Sequence, residues 1–141
     1  MSEMGQRIVL DTNCLLQTLP AKSPYHVVLK DVFEGKICLC VSNEILYEYE
    51  EVITRESDRD IARNVVAAIV HNPHTIHREP FYKFHFIEAD PDDNKFVDCA
   101  VASRAKYIVT NDAHFNILKT IPFPKIDIVR LDDFLKELKT L

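Results

Sequence analysis

Short apolar runs alternate along this chain with stretches whose apolar residues recur every three or four positions. Ile8-Val9-Leu10 is a run of the first kind and predicts a strand ending at Asp11. Ser23-Pro24 reads as a helix N-cap followed by proline at the first helical position. Val27, Val28, Leu29, Val32 and Phe33 carry that helix, and Gly35 is its natural stop. Ile37 to Val41 predicts a second strand. Ser42 then caps a helix with Ile45, Leu46, Tyr49, Val52 and Ile53 on its apolar face. Ser57 with Asp60 resembles a capping box ahead of a further helix, Ile61 to Val70, which Pro73 ends. Thr75 to His77 reads as a brief strand, and Glu79 to Ala89 as an aromatic-rich loop with room for an edge strand. Asp90-Pro91 repeats the cap-and-proline signal before a helix containing Phe96, Val97, Ala100, Val101 and Ala105. Tyr107 to Thr110 is a strand, Asn116 to Lys119 a short helix and Ile126 to Val129 a strand. Asp132 is placed as the cap of a last helix through Leu138.

Strands separated by helices build parallel sheets, because a parallel pair needs a long crossover between its strands. Strands buried on both faces read as continuous apolar runs, as these do. The expected fold is therefore α/β: a three-layer α/β/α sandwich with a mostly parallel central sheet, in one domain spanning 1–141.

The composition narrows the chemistry. Only two glycines occur, Gly5 and Gly35, so a glycine-rich phosphate loop is excluded. The net charge of −5 argues against a protein that holds nucleic acid by bulk electrostatics. It is compatible with carboxylates that gather metal ions, since a bound cation reverses the local sign. Cys14, Cys38, Cys40 and Cys99 form no CxxC pair and are expected as buried thiols. No apolar signal segment opens the chain, and no run approaches the roughly 20 residues of a membrane span. A soluble, cytoplasmic protein with no membrane contact is expected.

Ligands of open parallel sheets bind beyond the carboxyl ends of the strands. Asp11 lies at one such end and Asp112 two residues past another. Asp93 falls near the third position of the helix that Asp90 is expected to cap, and Glu48 lies within the helix after the second strand. Four carboxylates drawn together would repel one another, and hard divalent cations such as Mg²⁺ or Mn²⁺ relieve that repulsion. Asp at a strand end is also an ordinary turn or capping residue, so position by itself leaves a metal site and a set of caps equally open.

The segment Ile8-Val9-Leu10-Asp11-Thr12-Asn13 resembles the first motif of PIN domains, a strand followed by Asp-Thr-Asn or Asp-Thr-Ser. Ser42 to Tyr49 is similar to the second motif and places Glu48. Asp90 to Ala100 resembles the third, and Tyr107 to Asp112 the fourth. The order and spacing agree over nearly the whole chain. The resemblance implies a Mg²⁺- or Mn²⁺-dependent ribonuclease with Asp11, Glu48, Asp93 and Asp112 as metal ligands. Thr12, Asn13, Asp98, Thr110 and Asn111 would be supports. It also implies a homodimer, and the stand-alone prokaryotic group it is nearest to implies the toxin of a toxin–antitoxin pair, with an antitoxin protein as partner.

Rival acids stay open. Asp98 follows Asp93 by five residues and points about 140° away from it on a helix. Glu44 shares a face with Glu48, while Glu50 points nearly opposite. His71, His74 and His77 read as loop histidines, because Pro73 breaks any regular face. His114 reads as a capping or packing residue, with a substrate phosphate as the alternative. Arg55, Arg59 and Arg63 read as a solvated face, with RNA backbone contact as the alternative. Phe81, Tyr82, Phe84 and Phe86 fit core or dimer packing better than base stacking. Two functions follow: hydrolysis of RNA phosphodiesters by metal-activated water, or a catalytically weak module that binds a protein or RNA partner.

Overall fold

The computed structural model describes residues 5–140, so the first four positions of the N-terminal segment read above lie outside it. Five parallel strands form one sheet in the order β3-β2-β1-β4-β5. They are β1 (Gln6–Leu10), β2 (Ile37–Val41), β3 (Ile76–His77), β4 (Tyr107–Val109) and β5 (Ile128–Val129). The helices are α1 (Thr12–Thr18), α2 (His26–Phe33), α3 (Asn43–Glu56), α4 (Arg59–His71), α5 (Asn94–Ser103) and α6 (Leu131–Lys139). Two 3₁₀ segments, Pro91–Asp93 and Ala113–Thr120, complete the order. The architecture is the expected three-layer α/β/α sandwich.

The central strands are buried throughout their apolar runs: Ile8, Val9 and Leu10 in β1, all five residues of β2, and Ile108 and Val109 in β4. Helix α5 packs on β1, β2 and β4, and α2 on β2. Phe96, Phe115 and Phe134 fill the core beside them. Gly35 ends α2 at φ 81°, a left-handed conformation open to glycine, and an added Cβ there would lie 2.5 Å from the His74 ring.

The chain runs outward from β1 through β2 to β3, then returns to β4 on the other side of β1. The carboxyl ends of β1 and β4 therefore flank the point where the strand order reverses, which is where such sheets leave a crevice.

Several local expectations shift. Helix α1 has no counterpart in the sequence reading: Asp11 caps it by accepting the Cys14 N–H at 2.8 Å. Ser23 does not cap α2, which starts at His26; its hydroxyl accepts the Tyr25 N–H and closes the preceding turn. Asp58, not Ser57, caps α4, accepting from Ile61 at 2.8 Å. Arg130, not Asp132, occupies the N-cap of α6. Ser42 caps α3 as expected. Residues 79–89 form no strand.

Candidate metal centre

Asp11 leaves β1 in extended conformation with its N–H donating to the Val109 carbonyl at 3.2 Å, so pairing with β4 fixes its backbone. Its carboxylate is almost wholly buried. One oxygen accepts the Cys14 amide and the other the Thr110 hydroxyl. Burial pushes the Asp11 carboxyl above the usual carboxylate range; the Thr110 and Cys14 bonds oppose this, and the Asp112 charge adds to it. The same burial pushes the neighbouring Cys14 thiol up, with the Asp11 charge acting in the same direction.

Thr110, just past β4, ties two acids together. Its hydroxyl donates to Asp11 and accepts the Asp112 N–H at 3.0 Å. Asp112 in turn caps the second 3₁₀ segment: one of its oxygens accepts the His114 N–H at 2.9 Å and lies 3.4 Å from His114 Nδ1.

Asp93 closes the first 3₁₀ segment, its N–H donating to the Asp90 carbonyl at 3.1 Å. Its Oδ2 is buried with no hydrogen-bond partner. Burial, then the charges of Asp90 and Asp112, the close approach of the Asp112 carboxyl and the charge of Asp11 push the Asp93 carboxyl up to about 7. Asn94 holds this turn in place. Its buried amide exchanges two 2.9 Å bonds with the Ile87 backbone and donates to the Pro91 carbonyl at 3.1 Å.

Asp90, Asp93, Asp112 and His114 each offer one ligand atom, and these four atoms lie within 4.8 Å of one another. Such a set suits a small cation: three hard carboxylate oxygens and one imidazole, with one oxygen already dry and unpartnered. Asp90 was expected only as a cap, yet it makes no side-chain cap bond. His114 joins through the one-turn geometry that Asp112 imposes. The sequence signal for both was present but ambiguous, since an Asp before Pro and a His near a strand end have commoner explanations.

Glu48 is not one of the four. One oxygen accepts the Thr12 hydroxyl and the other pairs with Lys95 Nζ at 2.8 Å. Of the remaining expected supports, Asn111 accepts the Leu131 N–H at 3.0 Å and so anchors α6. Asp98 is buried under the 79–89 loop, accepting the Phe84 N–H at 3.1 Å, and does not join the four. Asn13 is exposed, and among the described residues no hydrogen bond links its amide to the acids. All four cysteines are free and buried.

The family model described as the PIN domain matches residues 7–114. A sequence comparison with curated proteins gives no match. Among solved structures, the chain is similar to VapBC2 from Rickettsia felis bound to a DNA fragment from the promoter. That likeness has a TM-score of 0.60 at 15% identity, covering 89% of this chain and 98% of that one. It is also similar to DNA-bound VapBC from Salmonella typhimurium, with a TM-score of 0.58 at 19% identity over the same shares. At these identities the likeness is one of fold. The family match runs from β1 to His114 and so takes in Asp11, Glu48 and all four clustered residues: this chain belongs to the PIN-domain family.

Proposed function

We propose that this protein is a divalent-metal-dependent endoribonuclease that hydrolyses RNA phosphodiester bonds. The observation that carries the reading is the convergence of one ligand atom each from Asp90, Asp93, Asp112 and His114 within 4.8 Å, where Asp93 also keeps a buried, unpartnered Oδ2. A carboxylate oxygen kept from water without a partner is costly, and a cation is the partner this donor set suits.

Asp93 and Asp112, with Asp90 and His114 beside them, would hold Mg²⁺ or Mn²⁺. Asp11 is not one of the four whose ligand atoms converge; it is held by Thr110 and Cys14 and tied to Asp112 through the Thr110 hydroxyl. When bound, the ion would polarise a phosphoryl oxygen and lower the pKa of a water molecule. The chain's own residues fix where that happens. The Thr110 hydroxyl aligns Asp11 with Asp112, and Asn94 sets the height of Asp93. Three carboxylates and one histidine make up the set, which favours attack by a metal-activated water over attack by the ribose 2′-hydroxyl, so the products expected carry 5′-phosphate and 3′-hydroxyl ends.

The two solved structures are of VapBC assemblies on DNA. By that likeness the protein would act in the cytoplasm as the toxin of a toxin–antitoxin pair, restrained by an antitoxin protein. The test is RNA cleavage by purified wild type and Asp11→Asn, each with Mn²⁺ and with chelator. Cleavage confined to wild type with metal supports the reading. Activity that survives both chelator and the substitution, or that yields cyclic 2′,3′-phosphates, rejects it.

A further inference from the structure

Lys95 is placed unlike an ordinary surface lysine. Its side chain is 10% exposed, and its ammonium makes two short contacts, one to Glu48 Oε1 and one to the Asp92 carbonyl, both at 2.8 Å. The ammonium also lies 5.5 Å from the centre of the Phe96 ring. Glu48 is bound on its other side by the Thr12 hydroxyl. Both oxygens of this carboxylate are therefore committed to protein donors, and Glu48 is absent from the group whose ligand atoms converge within 4.8 Å. Asp93 is the opposite case, with an oxygen buried and free.

We infer that Lys95 is a positioning residue that holds Glu48 by an ion pair and competes with the metal for that carboxylate. The inference rests on the metal reading above and adds a division of labour to it. Asp93 and Asp112 are ready to receive a cation, while Glu48 carries an internal cation that must be drawn off before it can approach one. Pairing keeps a fourth negative charge from adding to a cluster that is already self-repelling, so Lys95 stabilises the unloaded site and weakens its hold on metal. An ammonium this well buried gives up its partner reluctantly, because it would keep only its Asp92 contacts and regain little water.

The experiment is a calorimetric Mn²⁺ titration of wild type, Lys95→Met, Glu48→Gln and the double variant. Lys95→Gln is carried alongside in case methionine disturbs the fold, and Lys95→Arg is the conservative control. Lys95→Met is expected to bind Mn²⁺ about tenfold more tightly than wild type, within the usual range of coupling between two sites. Lys95→Arg should bind as wild type does. In the Glu48→Gln background, Lys95→Met should give no further gain, because the carboxylate it would free is gone. A gain of equal size in both backgrounds would mean that net charge alone is responsible and would overturn the inference, as would no gain in either. Absence of Mn²⁺ binding by wild type overturns the metal reading itself. Wild type and Lys95→Met binding alike overturn only the competition.

Discussion

The buried Tyr49 hydroxyl donates to the Leu10 carbonyl at 2.6 Å, fastening α3 to the last residue of β1 one position before Asp11. Glu48 precedes Tyr49 in the chain, so one bond sets the distance between the first and second acidic motifs. Tyr49→Phe keeps the ring and removes the bond. A buried neutral hydrogen bond contributes about 1 kcal/mol, which at this size lowers the melting temperature by roughly 3 °C. Calorimetric melting checks it, and a shift within error would show that the bond is not holding the helix.

Thr110→Val separates shape from hydrogen bonding at the centre of the site. The substitution preserves branching but deletes the hydroxyl shared by Asp11 and Asp112. The Asp11 carboxylate loses a donor while remaining buried, so the expected cost is about 1–3 kcal/mol of stability. Cleavage should fall more than substrate binding does, because the acids lose their alignment. Single-turnover rates and RNA binding measured together test this; equal losses in the two would contradict it.

Metal-free protein should become more stable as pH falls through neutrality. The Asp93 carboxyl is raised from 3.8 to about 7 by burial and neighbouring acids, so the folded state binds its proton more tightly than the unfolded chain does. Stability from this group is complete below the unfolded value and is lost as pH rises through the folded one. Asp11 and Asp98 are shifted in the same direction. Melting of wild type and Asp93→Asn between about pH 5 and pH 8 isolates the Asp93 part. The difference between them should change across that window, and two parallel curves would refute the assignment.

Phe81 and Tyr82 project into solvent, 97% and 73% exposed, beside a hollow lined by Pro80, Phe84 and Val101. Exposed aromatics grouped this way mark contact surfaces. A two-fold dimer through this patch is the expected arrangement, since a patch that meets its own copy closes with two-fold symmetry. Light scattering at micromolar concentration should give a dimer mass for wild type and a monomer for Phe81→Ser with Tyr82→Ser. A monomer mass for wild type removes the dimer.

The sheet was legible in the sequence because its strands are buried on both faces, so their runs are apolar without interruption. Gly35, Ser42 and Pro73 punctuate the chain for reasons that hold locally. Helix α1 was not legible: seven residues with a threonine at each end carry little periodicity, and its cap is Asp11, which had a more conspicuous role to suggest. The cap of α4 slipped by one because Ser57 and Asp58 are equally good candidates in isolation. The acids at strand ends followed from topology. The contributions of Asp90 and His114 did not, since they depend on how two 3₁₀ turns face each other across the crevice. Lys95 was invisible for a similar reason: whether a lysine beside aspartates is solvated or buried is decided by α3, far away in the chain.

Asp11 and Thr110 meet although 99 positions separate them. Their meeting depends on β4 pairing with β1, which sets Leu10 opposite Val109. A chain emerging from the ribosome can fold β1 and β2 early, since their pairing spans little sequence. It cannot align Asp11 until β4 has followed, and it holds no complete acidic cluster until Asp112 is out. A chain that stops short of Asp112 therefore lacks part of the set formed by Asp90, Asp93, Asp112 and His114.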